Sequence, residues 1–155
     1  MYKKIALLIL PFLLISCSGS GPEINNQDYC PVLMIKQDVA SALFGSAEVR
    51  IKGYDAYCYY NEKTKSTWAR ITPDFEVVRN GTGDEIDVFF AYYTETLIGP
   101  PEYLGKKTRY EKVEIPQGMS YKHFKGKTFE MTIPAGMEYT YGINMGLSLD
   151  KKNKI

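Results

Sequence analysis

"TWARITPDFEVVRNGTGDEIDVFFAYYTET", residues 67–96, decides the fold class of this chain. On either side of a Gly-rich centre, apolar residues recur at short spacing. Trp68, Ile71, Phe75 and Val77 stand as core candidates before it, and Ile86, Val88, Phe90 and Tyr92 share one face after it. A period of two is the repeat of a strand with one face buried, because successive side chains point to opposite sides. "RNGTGDE" between the runs carries the strongest turn signal in the chain, so the stretch predicts a β-hairpin. Pro73 donates no backbone hydrogen bond and demands an edge position or a bulge.

The same period extends outward in both directions. Val49 and Ile51 alternate with Glu48, Arg50 and Lys52, and the run continues through Tyr57, Cys58 and Tyr59 until "YYNEKTKST" turns the chain. Further upstream, "CPVLMIK" reads as a short buried strand, and "QDVASALFG" as a helical turn or loop with Asp38 near its start and Gly45 as its stop. Downstream, the two prolines and two glycines of "LIGPPEYLGKK" predict a crossover between sheets. "TRYEKVEIP" alternates around Tyr110 and Val113, and "HFKGKTFEMTIP" around Phe129, Met131 and Ile133. "EYTYGINMGLSL" spaces Tyr139, Tyr141, Ile143, Met145, Leu147 and Leu149 by two. Six to eight short strands and no long helix predict an all-β domain, an immunoglobulin-like sandwich of two antiparallel sheets, with a small closed β-barrel as the alternative.

The first residues carry an address. Lys3 and Lys4 precede an apolar run at residues 5–15, and Ser16 and Cys17 follow it, which is the pattern of a signal peptide. A run this short reaches only about 16 Å as a helix, against roughly 30 Å of hydrocarbon, so it is too short for a permanent span. Leu14, Ile15, Ser16 and Cys17 resemble the lipobox of bacterial lipoproteins. That resemblance implies a diacylglyceryl group on the Cys17 thiol, removal of residues 1–16, and acylation of the new amine, together enough for stable anchoring. Ser18, where such lipoproteins carry aspartate for inner-membrane retention, implies the periplasmic face of the outer membrane. Residues 17–29 then form a lipidated, flexible polar tether spanning about 20 Å, residues 30–150 the sandwich, and residues 151–155 a basic tail.

Composition narrows the function classes. The chain has 19 Lys plus Arg against 18 Asp plus Glu, and loss of Lys3 and Lys4 leaves 17 against 18. Near neutrality argues against a nucleic-acid surface. With Cys17 lipidated, Cys30 and Cys58 remain as a pair in an oxidising compartment and are expected to bridge. Closing a loop of about 29 residues restricts the unfolded chain by about 3.5 kcal/mol in the chain-entropy treatment.

The lipobox, the tether, "YCPVLMIKQDVA", a strand ending in "CYY" and an apolar terminal strand together resemble a group of small lipoproteins of alphaproteobacteria. The sharp points are Cys30 with Pro31, the run to Ile35, Asp38 and Cys58. What the resemblance implies is location and an all-β body, with no catalytic residues to carry over. A looser likeness, in size and anchor, is to the accessory lipoproteins of the outer-membrane protein assembly machine.

The search for chemistry finds no grouping that builds a reaction. His123 is the only histidine, beside Lys122 and Lys125, so a histidine cluster for zinc is excluded and any Ser-His-Asp triad would have to use it. Asp84, Glu85 and Asp87 lack the alternating spacing of a calcium loop. Asn80, Gly81 and Thr82 match a glycosylation acceptor that a bacterial lipobox renders accidental. The 13 tyrosines include the pairs Tyr59 with Tyr60 and Tyr92 with Tyr93, each expected to send one ring inward and one outward. The expectation is a non-enzymatic module without cofactor or metal. It engages a periplasmic or outer-membrane protein by a sheet edge or a tyrosine-bearing face, with glycan or lipid binding as the alternative.

Overall fold

The computed structural model describes residues 30–98, 105–137 and 141–149. Cys17, the segments at 1–16 and 17–29, Tyr139 and the basic tail at 151–155 lie outside the described residues. Within them the chain forms nine strands: β1 (Val32–Ile35), β2 (Ser41–Phe44), β3 (Ala47–Asn61), β4 (Ser66–Arg79), β5 (Ile86–Ile98), β6 (Gly105–Ile115), β7 (Tyr121–Lys125), β8 (Phe129–Ile133) and β9 (Gly142–Ser148). They make an all-β sandwich of two packed sheets, one of them curled into half a barrel. The first sheet runs β1-β9-β5-β6, and the second runs β2-β3-β4 with β7 and β8 side by side along the far edge of β4.

Two connections differ from the sequence expectation, and they differ in opposite senses. β4 is flanked by β3 on one side and by β7 and β8 on the other, which leaves no edge for β5. Residues 80–85 therefore cross between sheets, although Gly81 does adopt a left-handed turn conformation (φ 78°). The Pro-rich link after β5 joins neighbours instead, since Thr96 pairs with Gly105 and the whole of β6 lies antiparallel on β5. Turn chemistry was legible at both places, but the partner of each strand was fixed by the tertiary fit of its faces.

Arg79 explains the crossover. It sits at the end of β4, only 7% exposed, and its guanidinium has no carboxylate within reach among the described ion pairs. Its donors fan out instead to backbone oxygens: Nε to Met119 O at 2.8 Å, Nη2 to Gly83 O at 3.0 Å and to Pro116 O at 3.4 Å, and Nη1 to Asp84 O. A planar fork of five donors suits this task, and lysine cannot reproduce it. The side chain thus ties the 80–85 crossover to the loop between β6 and β7.

Three smaller corrections follow from register. The helical turn or loop expected at 37–45 is a single 3-10 turn, Gln37–Val39, leading straight into β2, with Gly45 at positive φ in the tight turn to β3. β1 runs parallel to β9, so the first sheet is not wholly antiparallel. Trp68 and Tyr110 lie on outer faces, because each has the opposite parity from its buried neighbours Ile71 and Val113; Leu149, just past β9, is 58% exposed.

The core is built from the inner faces. Phe75, 0% exposed, meets Tyr92, Phe90 and Phe124 with ring centroids 4.8, 5.2 and 5.5 Å apart, and Tyr92 meets Phe129 edge-on at 5.5 Å. Such pairs add to area burial by about 0.5–1.5 kcal/mol each. Around them pack Val49, Ile51, Ile71, Val77, Ile115, Ile143, Met145 and Leu147. Tyr92 keeps a polar handle, its hydroxyl lying 3.0 Å from Lys127 O and 3.2 Å from Glu111 Oε1. Burial, reinforced by the Glu111 carboxylate, pushes its pKa far above the ordinary tyrosine value.

Two stability outcomes follow. Arg79→Ala strands several carbonyls and is expected to cost about 3 kcal/mol in urea unfolding, with Arg79→Lys recovering little of it; a loss below about 1 kcal/mol contradicts the tie. For Tyr92, the folded state holds the phenolic proton above the unfolded pKa, so its contribution is intact below about pH 10 and declines as pH rises beyond that. Tyr92→Phe is expected to flatten the alkaline limb of the stability curve, though only in part, because burial also raises Tyr93.

Candidate functional site

A local event in β3 sorts the side chains that face outward. The register of β3 on β4 runs Ile51↔Phe75 and then Gly53↔Asp74, so Lys52 is an extra residue, a β-bulge opposite Asp74 and next to Pro73. Pro73 O accepts from Gly126 N on the far side of β4, and a residue's N and O share one side of a strand. The missing Pro73 donor thus points into the break between β7 and β8, and costs no bond to β3. Past the bulge the alternation of β3 is inverted. Odd-numbered residues, inward at Val49 and Ile51, become outward at Asp55, Tyr57 and Tyr59, and Cys58 turns inward.

That inversion makes the disulfide. Cys58 is fully buried, Cys30 lies just before β1, and the two are bonded with Cα atoms 5.3 Å apart. The bridge joins the residue two before β1 to the twelfth of the fifteen residues of β3. Beside it, Tyr54 donates from its hydroxyl to Leu33 O at 3.2 Å, a second link between β1 and β3. A recess of about 310 Å³ opens between them, lined by Cys30, Pro31, Tyr54, Asp55 and Ala56.

The opposite seam, between β6 and the β7–β8 edge, is closed by lysines. Lys127 Nζ donates to Tyr110 O at 2.7 Å, Lys122 Nζ to Glu114 O at 2.9 Å, and Lys107 Nζ to Glu130 O at 3.1 Å. Glu111, whose side chain is 12% exposed, takes Lys127 N at 2.9 Å. An edge whose carbonyls are taken by lysines is poorly suited to receive another strand. The sequence reading left strand edges open as docking sites; this edge is occupied from within.

The outer face of the second sheet has two halves. One is a self-neutralised charge network centred on Glu76, which meets Arg50 at 3.2 Å, Lys52 at 4.0 Å and His123 Nε2 at 3.1 Å. Arg50 also grips Glu48 at 2.6 Å, and this bond holds the Glu48 carboxyl below its ordinary range. Lys125 bridges Asp55 at 2.9 Å and Asp74 at 3.6 Å, the first raising its pKa. His123, the one histidine, therefore belongs to an exposed ion-pair row. The other half is aromatic. Tyr59 stands directly across from Trp68, and Tyr57 from Arg70. Tyr57 meets the indole edge-on at 6.5 Å, Arg70 lies over it at 4.9 Å and bonds Glu130 at 3.1 Å.

On the outer face of the first sheet, Phe89 and Tyr110 are 53% and 49% exposed and lie diagonally across β5 and β6, with Lys112 over the Phe89 ring and paired to Asp87 at 2.8 Å. Tyr93, expected to face outward, does so but is buried, with Lys106 Nζ 3.9 Å from its ring centre. Asp84, Glu85 and Asp87 do not converge, and among the described residues no group of three His, Cys, Asp or Glu is placed to hold a metal. Arg79 and the Lys52 bulge were missed from sequence; Pro73 and Gly53 were the signals of the bulge.

Replacing both cysteines with alanine is expected to lower unfolding free energy by about 3.5 kcal/mol, the loop constraint released by a separation of 28 residues. A loss near zero in urea titration contradicts a stabilising bridge. Comparison with known proteins returned no family model, no curated protein and no solved structure that matches this chain.

Proposed function

We propose that this chain is a lipid-anchored protein of the outer membrane, facing the periplasm, which acts without catalysis by holding an envelope protein against an outer face of its sandwich. The anchor rests on Leu14 to Cys17 and the polar stretch that follows. The mode of contact rests on one observation: Phe89 and Tyr110 are half exposed side by side on the first sheet, whereas the β6 carbonyls Tyr110 O and Glu114 O are already bonded by lysines. Large aromatic side chains with a polar rim, here Lys112 and Asp87, are the composition that dominates binding energy at protein interfaces. Docking is therefore assigned to the face, and strand addition at β6 is disfavoured.

A photo-crosslinking amino acid in place of Phe89 or Tyr110, in intact cells, is expected to trap one recurrent protein partner, and the same group at Lys63 to trap none. Adducts of equal yield at all three positions, or free protein alone, contradict the reading. Cys17→Ser is expected to release the protein from membranes and to abolish that adduct.

A further inference from the structure

The outer face of the second sheet inverts the ordinary partition of its side chains. At the adjacent positions Thr67 and Trp68, the threonine is the one inside, 0% exposed with its Oγ1 lacking a hydrogen-bond partner among the described residues. The tryptophan, the only one in the chain, lies half-buried on the outer face. A fold indifferent to this face gains by the reverse arrangement, because burying an unpaired hydroxyl costs about 1–3 kcal/mol and an indole is a large apolar group. Trp68 is also held in place, since Tyr57 meets it edge-on and Arg70 lies over its ring, 4.9 Å from the centroid. Tyr59 adds a ring that is 37% exposed directly across the strand pair.

Polar groups surround these rings at the spacing of the sheet. Thr132 stands across β8 from Trp68, and Glu130 across from Arg70, the latter pair both about half exposed. Lys63 and Lys65 lie in the turn joining β3 to β4, and Lys107 reaches Glu130 O. Against Glu62 and Glu130, the four cations Lys63, Lys65, Arg70 and Lys107 leave a local excess of two positive charges.

We propose that this face is a binding site for a carboxylate-bearing glycan chain. The C–H face of a pyranose ring stacks on Tyr59, and the next ring packs against the Trp68–Arg70 pair. Their hydroxyls meet Thr132, Glu130 and Arg70, and the acidic substituents meet the basic rim. Aromatic side chains with a few fixed polar groups are the pattern by which ligand sites set orientation. Tyr59, Arg70 and Glu130 are exposed on three successive strands of this face, so the occupant is a chain that runs across it. The site lies on the other sheet from Phe89 and Tyr110, so this inference stands apart from the protein-docking reading and either can fail alone.

Because Trp68 is the single tryptophan, its emission reports the site directly. The full-length chain in detergent micelles is titrated with soluble disaccharide-peptide fragments of peptidoglycan, with chitotetraose as a neutral chain, and with lipopolysaccharide as a phosphate-bearing one. The expected result is a saturable emission shift with the peptidoglycan fragments, at least tenfold weaker binding of chitotetraose, and weakening with added salt. Trp68→Ala and Tyr59→Ala are each expected to reduce co-sedimentation with purified peptidoglycan at least fivefold. Arg70→Gln, which spares the rings, is expected to do so at least threefold while leaving the melting temperature within a few degrees. An unchanged emission with every glycan, equal response to chitotetraose, response to lipopolysaccharide alone, or a protein crosslinked to Tyr59 in its place each overturns the assignment.

Discussion

The placement of one extra residue, Lys52, opposite Asp74 governs most of what is distinctive here. Before it, β3 turns Val49 and Ile51 into the core; after it, the odd positions Tyr57 and Tyr59 lie on the outer face and the even position Cys58 turns inward. Because side chains alternate strictly, a single inserted residue reverses every position that follows. Without that reversal Cys58 faces water and cannot reach Cys30, and the aromatic rings of β3 fall into a core already filled by Phe75, Phe90, Tyr92 and Phe129. The disulfide and the aromatic face are two results of one irregularity.

The sandwich is closed by different chemistry at its two seams. On one side a covalent bridge and the Tyr54 hydroxyl hold the short parallel strand β1 against β3. On the other, lysine ammonium groups and the Glu111 carboxylate occupy backbone groups of β6, β8 and the segment between β7 and β8. Neither seam depends on apolar contact alone, which suits a nine-stranded body whose sheets carry sizeable free edges. The bridge also couples the four residues of β1 to Cys58, near the end of β3.

The sequence made the strands legible and their partners much less so. Alternation at Phe75 and Val77, at Val88 and Phe90, and at Phe129 and Ile133 located inner faces correctly, and the Cys30–Cys58 bridge followed from counting cysteines. "RNGTGDE" has the residues of a hairpin turn yet crosses between sheets, because β4 already has neighbours on both sides and Arg79 buries its guanidinium among carbonyls of two loops. That arginine reads on paper as a charged residue at a turn. Trp68 shows the opposite failure: its parity relative to Ile71 placed it outside, but its size argued for the core. The aromatic face was legible only in outline, as an excess of tyrosine, since the bulge that exposes Tyr57 and Tyr59 leaves little trace beyond Pro73 and Gly53.

The facing of β3 is most directly tested by cross-strand nuclear Overhauser contacts in isotopically labelled protein. The account predicts Cys58 opposite Ala69 and Tyr59 opposite Trp68, with Lys52 and Gly53 both facing Asp74. Contacts that place Tyr57 opposite Ala69 and Cys58 opposite Trp68 mean an unbroken register, and contradict it.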